Sequence, residues 1–228
     1  LQLLFQLTRK LNPNKLRNKQ IYLIRHGETE FNKQGLVQGS GVDSDLNELG
    51  QAQALAFYVH YQHIKFDKIY TSALKRTHQT VLPFVEKGVQ WQPLTGLNEI
   101  SWGVKEGRSV KAEDNMQHYY MLEAWRDGML DIKVEGGESP LEVQARQQIA
   151  LEHILAHEHE QTILICMHGR AIRIFLCLLL GISLQEMDKF EHSNVSLYVL
   201  NYTDGKYTIE VANNTVHLAP IKQQGQYA

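Results

Sequence analysis

Two short apolar runs in this chain end on the same dipeptide. Gln20 to Ile24 leads into Arg25-His26-Gly27, and Thr162 to Met167 leads into His168-Gly169. An imidazole changes its charge near neutrality, so it can attack an electrophile or relay a proton. A glycine beside it lacks Cβ and lets an oxyanion come close to backbone N–H groups. Arg25 precedes the first histidine, and Arg76 stands in Ser72-Ala73-Leu74-Lys75-Arg76-Thr77. Guanidinium suits phosphate because its planar fork offers paired donors and keeps its charge. Two histidines and two arginines converging at strand ends would make a pocket for a dianion. Singly they say little, since an isolated Arg-His-Gly is a weak signal and an isolated helical arginine is usually solvated.

Such residues need elements to position them. Gln20 to Ile24 reads as a buried strand with polar residues at its carboxyl end, where open α/β sheets place their sites. Leu49, Ala52, Leu55, Ala56 and Val59 recur at helical spacing, with Asn47 as N-cap. Lys68 to Thr71 predicts a second strand, Ser72 caps a helix from near Ala73, and Pro83 is expected to kink or end it. Val89 to Leu94 is a third strand. Ser139-Pro140-Leu141-Glu142 has the composition of a helix start, and the helix runs toward His157 with Val143, Ile149 and Ile154 among its apolar positions. After the strand Thr162 to Met167, a helix from Arg170 to Leu180 is terminated by Gly181. Val195 to Tyr202 and Lys206 to Val211 form a hairpin turned by Thr203-Asp204-Gly205.

This alternation predicts the α/β class, a three-layer α/β/α sandwich around a mostly parallel sheet. The stretch from Val110 to Asp131 breaks the alternation. It holds Met116, Tyr119, Tyr120, Met121 and Trp125 and reads as inserted helices, a candidate lid over the site.

Composition narrows the partners. At 43% hydrophobic and 21% charged, the 228 residues are those of an ordinary globular domain. A net charge of −2 and the lack of a basic run with aromatics argue against nucleic acid, so charge for an anionic ligand must be local. Cys166 and Cys177 form no disulfide framework and read as core residues, which predicts a reducing, cytoplasmic compartment. No run approaches the roughly 20 apolar residues of a membrane span. The first 19 residues carry Arg9, Lys10, Lys15, Arg17 and Lys19 with no acidic residue. A targeting or membrane-touching segment is one reading; a basic, partly ordered extension is the simpler, because Asn12-Pro13-Asn14 interrupts any helix. His153 and His157 have the spacing of zinc ligands, with His159 nearby. No third ligand of obvious geometry accompanies them, so an exposed polar face is the simpler reading.

Taken in order, the motifs form a pattern. Arg25-His26-Gly27-Glu28-Thr29 with Asn32 is followed by Tyr70-Thr71-Ser72 with Arg76, Gln79 and Thr80. Then come Leu97-Asn98-Glu99 with Trp102-Gly103 and Glu106-Gly107, Gly136-Gly137-Glu138-Ser139 with Arg146, His168-Gly169 with Ile172-Arg173, and Asn194-Val195-Ser196. From about Gln20 to Tyr202 this resembles the histidine phosphatase superfamily, also called the phosphoglycerate mutase-like family. The resemblance implies a phosphatase that needs neither metal nor cofactor. It makes His26 the nucleophile that becomes phosphohistidine, and gives the transferring phosphoryl group to Arg25, Arg76 and His168. Glu99 would be the acid for the leaving oxygen and then the base for water. Asn32, Gly27, Gly169 and Arg170 would complete substrate binding. Such chemistry requires His26 to be neutral at the attacking nitrogen, with its other nitrogen donating to a fixed acceptor. The implied organisation is a basic extension over 1–19, the phosphatase domain over 20–219 with its helical cap at about 109–135, and a tail over 220–228.

The family commonly has a small residue where Arg170 stands. Arg170 either adds a third positive charge near the site, for a more heavily charged substrate, or turns outward at the helix start. Within the family, a bisphosphoglycerate-dependent mutase is the alternative. Mutases resemble this chain but carry a longer insertion with an Arg-Arg pair. Here Glu99 and His168 stand 69 positions apart (168 less 99), and Arg126 and Lys133 are isolated between them. A mutase must retain its reoriented intermediate, whereas a phosphatase admits water, so the short insertion favours hydrolysis. A non-catalytic phosphate-binding or scaffold domain would have lost His26, Glu99 or an arginine, and none is lost. The expected partner is a small phosphorylated metabolite. A homodimer is compatible with the sequence, which fixes no oligomeric state.

Overall fold

The central strands are apolar on alternate and intervening positions alike, so the sheet they form must be covered on both faces. The computed structural model describes residues 18–109 and 116–224. Its strands are β1 (Asn18–Arg25), β2 (Lys68–Thr71), β3 (Trp91–Pro93), β4 (Thr162–Met167), β5 (Leu197–Thr203) and β6 (Lys206–Asn214). They form one sheet in the order β3-β2-β4-β1-β5-β6. The first four are mutually parallel, the β5–β6 hairpin adds antiparallel to β1, and a one-turn helix, α1 (Glu30–Lys33), follows β1.

Period-two alternation sends Tyr22, Ile24, Ile69, Leu164 and Cys166 to one face, against Phe57, Val81 and Phe84 of helices α2 (Glu48–Tyr61) and α3 (Lys75–Glu86). Ile21, Leu23, Tyr70, Ile163 and Ile165 face the other way, against α5 (Pro140–Ala156) and α6 (Gly169–Leu180). The expected three-layer sandwich is therefore the fold. Register then positions the site. Ile24 and Thr71 both pair with Cys166, which levels the carboxyl ends of β1, β2 and β4. His26 N–H extends the ladder to Met167 O at 3.0 Å and Ser72 N–H to Cys166 O at 3.2 Å.

Caps at Asn47 and Ser139 stand where expected: Asn47 accepts from Gly50 N–H, and Ser139 and Glu142 form a reciprocal capping box. The β5–β6 turn places Asp204 and Gly205 at φ 49° and 88°, as a two-residue hairpin loop requires.

Several expectations are corrected. β1 begins at Asn18 rather than Gln20, because the Lys19 ammonium is buried against the carbonyls of His157 and Glu160. The rest of the basic extension, 1–17, lies outside the described residues. α3 begins at Lys75 without a side-chain cap, since the Ser72 hydroxyl serves Leu74 N–H, Thr77 and His168. It continues through Pro83 to Glu86, with buried Val81 and Phe84 holding the turns on either side. Edge strand β3 is shorter than expected and ends at Pro93, which has no N–H for a ladder.

α2 exists as expected but buries the opposite stripe. Gly50, Ala54 and Phe57 face inward, whereas Leu55 and Val59 are 55% and 57% exposed. Its apolar residues run nearly all round, so spacing could not choose the face; close approach to β1 did. On α5, Ile149 is likewise exposed. In the insertion, α4 (Met116–Arg126) buries Met121 and Trp125 against Trp102, Ile174 and Met187, while Tyr119 and Tyr120 are exposed. A short helix, α7 (Ala219–Gln224), occupies part of the expected tail, and 225–228 lie outside the described residues. No described helix is long and apolar enough to cross a membrane.

Candidate active site

Beyond the carboxyl ends of β1, β2 and β4 lies a cavity of about 390 Å³ lined by Arg25, His26, Asn32, Glu99, Gly169 and Arg170, with Trp102, His192 and Asn194 completing the wall. Arg76 and His168 lie beneath it, fully buried, and the His168 ring centroid is 5.1 Å from that of His26.

His26 Nδ1 lies 2.7 Å from Gly27 O. A carbonyl only accepts, so Nδ1 carries the proton and Nε2 is left with its lone pair. Burial, followed by the charges of Arg76 and Arg25, pushes the His26 pKa well below the usual 6.5. The imidazole is therefore neutral at physiological pH, as a nucleophile must be. The same logic fixes His168. Its Nδ1 accepts from Arg76 Nε at 3.2 Å, so its Nε2–H donates to Ser72 Oγ at 2.8 Å.

Arg76 also donates to Val42 O at 2.6 Å and Gly39 O at 3.2 Å. Of a guanidinium's five N–H donors these bonds use three, which leaves two. Burial lowers its pKa to about 10, and it remains charged. Arg25 donates from Nη1 to His192 Nδ1 at 3.3 Å, and its Nε is buried without a partner among the described residues.

Glu99 is 7% exposed and sits at the start of α6. Its Oε1 accepts from Ile100 N–H at 2.9 Å and Ala171 N–H at 2.8 Å, and its Oε2 accepts from Arg170 N–H at 3.1 Å. The first-turn amides of a helix suit a carboxylate. The Gly136-to-Ser139 segment and Arg146 hold the loop that carries Glu99. Arg146 grips Glu138 through Nε and Nη2 at 2.8 and 2.9 Å and also donates to the carbonyls of Gly96, Asn98 and Glu99. A Cβ at Gly137 would stand 2.7 Å from Ser101 O, which explains a glycine there.

Asn32 Oδ1 accepts from Thr29 N–H and from Asn194 Nδ2, so its amide nitrogen is the end left for the cavity. Asn194 Nδ2 also donates to His26 O at 3.0 Å. The next residue, Val195, has φ 57°, an unusual conformation for a β-branched side chain and one found where a site over-determines its backbone.

The two glycines also meet packing demands, and Gly169 lines the cavity as well. Gly27 N–H is taken by Thr80 Oγ1 at 2.9 Å, and a Cβ on Gly27 would lie 2.6 Å from Gly50 O. It lets α2 approach β1. At Gly169 a Cβ would stand 2.6 Å from His192 Cε1, so that glycine makes room for an imidazole in the wall. Arg170 lines the cavity, and its side chain is held by Asp188 and largely covered rather than turned out to solvent. His192 and Asp188, which holds Arg170, escaped the sequence reading; neither stands at a strand end or in a recognisable spacing. Asn194 was visible in the closing motif but carried no signal of its role. His153 and His157 are engaged elsewhere, with Gln92 Nε2 and the His153 carbonyl respectively.

Buried neutral histidines make stability depend on pH. His192 is lowered to about 3 by burial and neighbouring arginines, and His217 to about 4 by burial, from a usual 6.5. As pH falls below 6.5 the unfolded chain takes up protons that the fold refuses. Their contribution is thus present above pH 6.5 and lost as pH falls toward 4 and 3. Thermal melting should give a lower Tm at about pH 5 than at about pH 7.5, and a Tm that rises on acidification contradicts this assignment.

Comparison with known proteins agrees with this geometry. The sequence pattern of the histidine phosphatase superfamily (branch 1) matches residues 21–215. Phosphoserine phosphatase 1 of Hydrogenobacter thermophilus is 32% identical over 87% of this chain and 93% of its own. The probable phosphoglycerate mutase GpmB of Proteus mirabilis is 31% identical over 89% of this chain and 96% of its own. Among solved structures, phosphoserine phosphatase of Entamoeba histolytica in complex with 3-phosphoglyceric acid superposes with a TM-score of 0.76 at 26% identity, over 88% of this chain and 99% of that one. The chain belongs to the histidine phosphatase superfamily, branch 1.

Proposed function

We propose that the protein hydrolyses small phosphomonoesters through a phosphohistidine on His26, with Glu99 as acid and then base. The observation that carries this reading is the pairing of His26 Nδ1–H with Gly27 O, which leaves Nε2 bare in a cavity that Glu99 also lines. In the first half, Nε2 attacks phosphorus. The P–O ester bond breaks as the N–P bond forms, and the Glu99 proton goes to the leaving oxygen to give the alcohol. In the second half, Glu99 takes a proton from water as its oxygen attacks phosphorus. The N–P bond breaks, and His26 is restored with release of inorganic phosphate.

Phosphoryl transfer needs mainly positioning and charge stabilisation. Arg25, with its unpartnered Nε, and the two remaining N–H groups of Arg76 supply that charge, and the free amide end of Asn32 adds a donor. His168 contributes by orienting Arg76. Relatives named phosphoserine phosphatase support hydrolysis. The GpmB relative keeps a mutase reading in view, but the short insertion between Glu99 and His168 favours admission of water over retention of an intermediate. A small phosphorylated metabolite is the fitting substrate, and a cytoplasmic setting accords with two buried free thiols.

The test is phosphate release from p-nitrophenyl phosphate and a panel of metabolite esters in EDTA, beside isomerisation of 3-phosphoglycerate primed with bisphosphoglycerate. Release of inorganic phosphate undiminished by EDTA is expected. Isomerisation without net hydrolysis would overturn the phosphatase reading.

A further inference from the structure

The Arg170 side chain is 12% exposed and forms part of the cavity wall, although the phosphoryl chemistry uses only its backbone N–H. Two contacts fix the guanidinium. Nη1 donates to Asp188 Oδ1 at 2.7 Å, and Cζ lies 5.6 Å from the Trp125 ring centroid. Asp188 also receives Arg173 Nη1 at 2.5 Å on the same oxygen and Arg126 Nε at 3.2 Å on the other. One carboxylate therefore serves three guanidinium groups, and positive charge is in excess. His192, across the cavity wall, has its pKa lowered first by burial and then by the charges of Arg25, Arg173 and Arg170. Meanwhile the Nε/Nη2 edge of Arg170 makes no hydrogen bond among the described residues. Two parallel N–H groups on a held cation match the two oxygens of a carboxylate.

We propose that Arg170 is the specificity-determining residue of this site, its Nε/Nη2 edge binding a carboxylate on the alcohol portion of the phosphomonoester while Asp188 positions the guanidinium. The proposal rests on the phosphatase reading, which places the ester's phosphorus at His26. It assigns the substrate class as phosphorylated hydroxy acids. It also gives the insertion a role, because Trp125 and Arg126 of α4 complete the mounting of Arg170. An arginine at this position, where the family resemblance leads one to expect a small side chain, is thereby accounted for.

Binding to the His26→Ala protein separates recognition from turnover. 3-Phosphoglycerate and glycerol 3-phosphate differ only in carrying a carboxylate or a hydroxymethyl group. Calorimetry should give a Kd about tenfold or more lower for the carboxylated ester, the range for hydrogen bonds between charged partners. Adding Arg170→Gln should bring the two Kd values within about threefold, and adding Asp188→Asn should shrink the ratio partway. Equal affinities in the His26→Ala protein, binding of neither ester, or a ratio that survives Arg170→Gln would overturn the proposal. Should Arg170→Gln melt too low to assay, Arg170→Lys keeps the charge but not the fork, and an unchanged ratio there would overturn it equally. The underlying reading fails differently, by absence of His26-dependent phosphate release from any ester in the unmodified protein.

Discussion

Replacing His26 by alanine lowers phosphatase turnover by about 10⁴-fold or more, the scale seen when a covalent nucleophile is removed. The geometry makes that loss chemical rather than structural. The one hydrogen bond of the His26 ring goes to the neighbouring Gly27 carbonyl, and Asn194 holds the His26 backbone, not its side chain. Removing the imidazole therefore leaves no buried donor stranded among the described residues. The remaining cost is a small void and a Gly27 carbonyl without its donor, worth about 1–3 kcal/mol. Kinetics and thermal melting on the same preparation check both halves. A variant that melts normally and retains more than a few per cent of turnover would show that water attacks phosphorus directly.

Glu99→Gln is expected to divide the reaction in two. With an alkyl ester, whose leaving oxygen needs a proton, turnover should fall by about 10²- to 10⁴-fold. With p-nitrophenyl phosphate the leaving group departs without help, so the first half survives. The water step still lacks its base, and the phosphorylated enzyme accumulates. A burst of one nitrophenolate per site followed by slow release is the expected trace. The substitution is conservative in shape. A glutamine oxygen can keep the bonds from Ile100 and Ala171, but its NH₂ would meet the Arg170 N–H that Oε2 now accepts, at a cost of about 1–3 kcal/mol. A uniform loss with both esters and no burst would remove Glu99 from its proton-transfer role.

The parts legible in the sequence were those that local chemistry dictates. Strands β1 and β4 are short, apolar and end on His-Gly, and the caps at Asn47 and Ser139 are set by residue type within one turn. These sufficed to predict a sandwich with its site at the carboxyl ends of the strands. Hidden from the sequence was everything decided by packing between distant segments. The apolar spacing of α2 pointed to Leu55 and Val59, yet the buried stripe is Gly50, Ala54 and Phe57, because the helix must approach Gly27. Pro83 is expected to kink or end its helix, yet the helix does not end there, and the buried side chains around it carry it on to Glu86. Gly27 and Gly169 suggest room for a ligand; the packing they also serve, against Gly50 and His192, is set by distant segments. Asp188 gave no signal, since its importance comes from three arginines that the fold gathers from two helices, Arg126 of α4 and Arg170 and Arg173 of α6.

The central claim is that phosphate passes through the bare Nε2 of His26. The most direct measurement mixes the Glu99→Gln protein with p-nitrophenyl phosphate, quenches it in alkali during the burst and maps the modified peptide. Phosphohistidine survives base and is lost in acid. The account predicts close to one phosphoryl group per chain, acid-labile and located on His26. A burst without a modified residue, or a phosphoryl group on any other side chain, would contradict it.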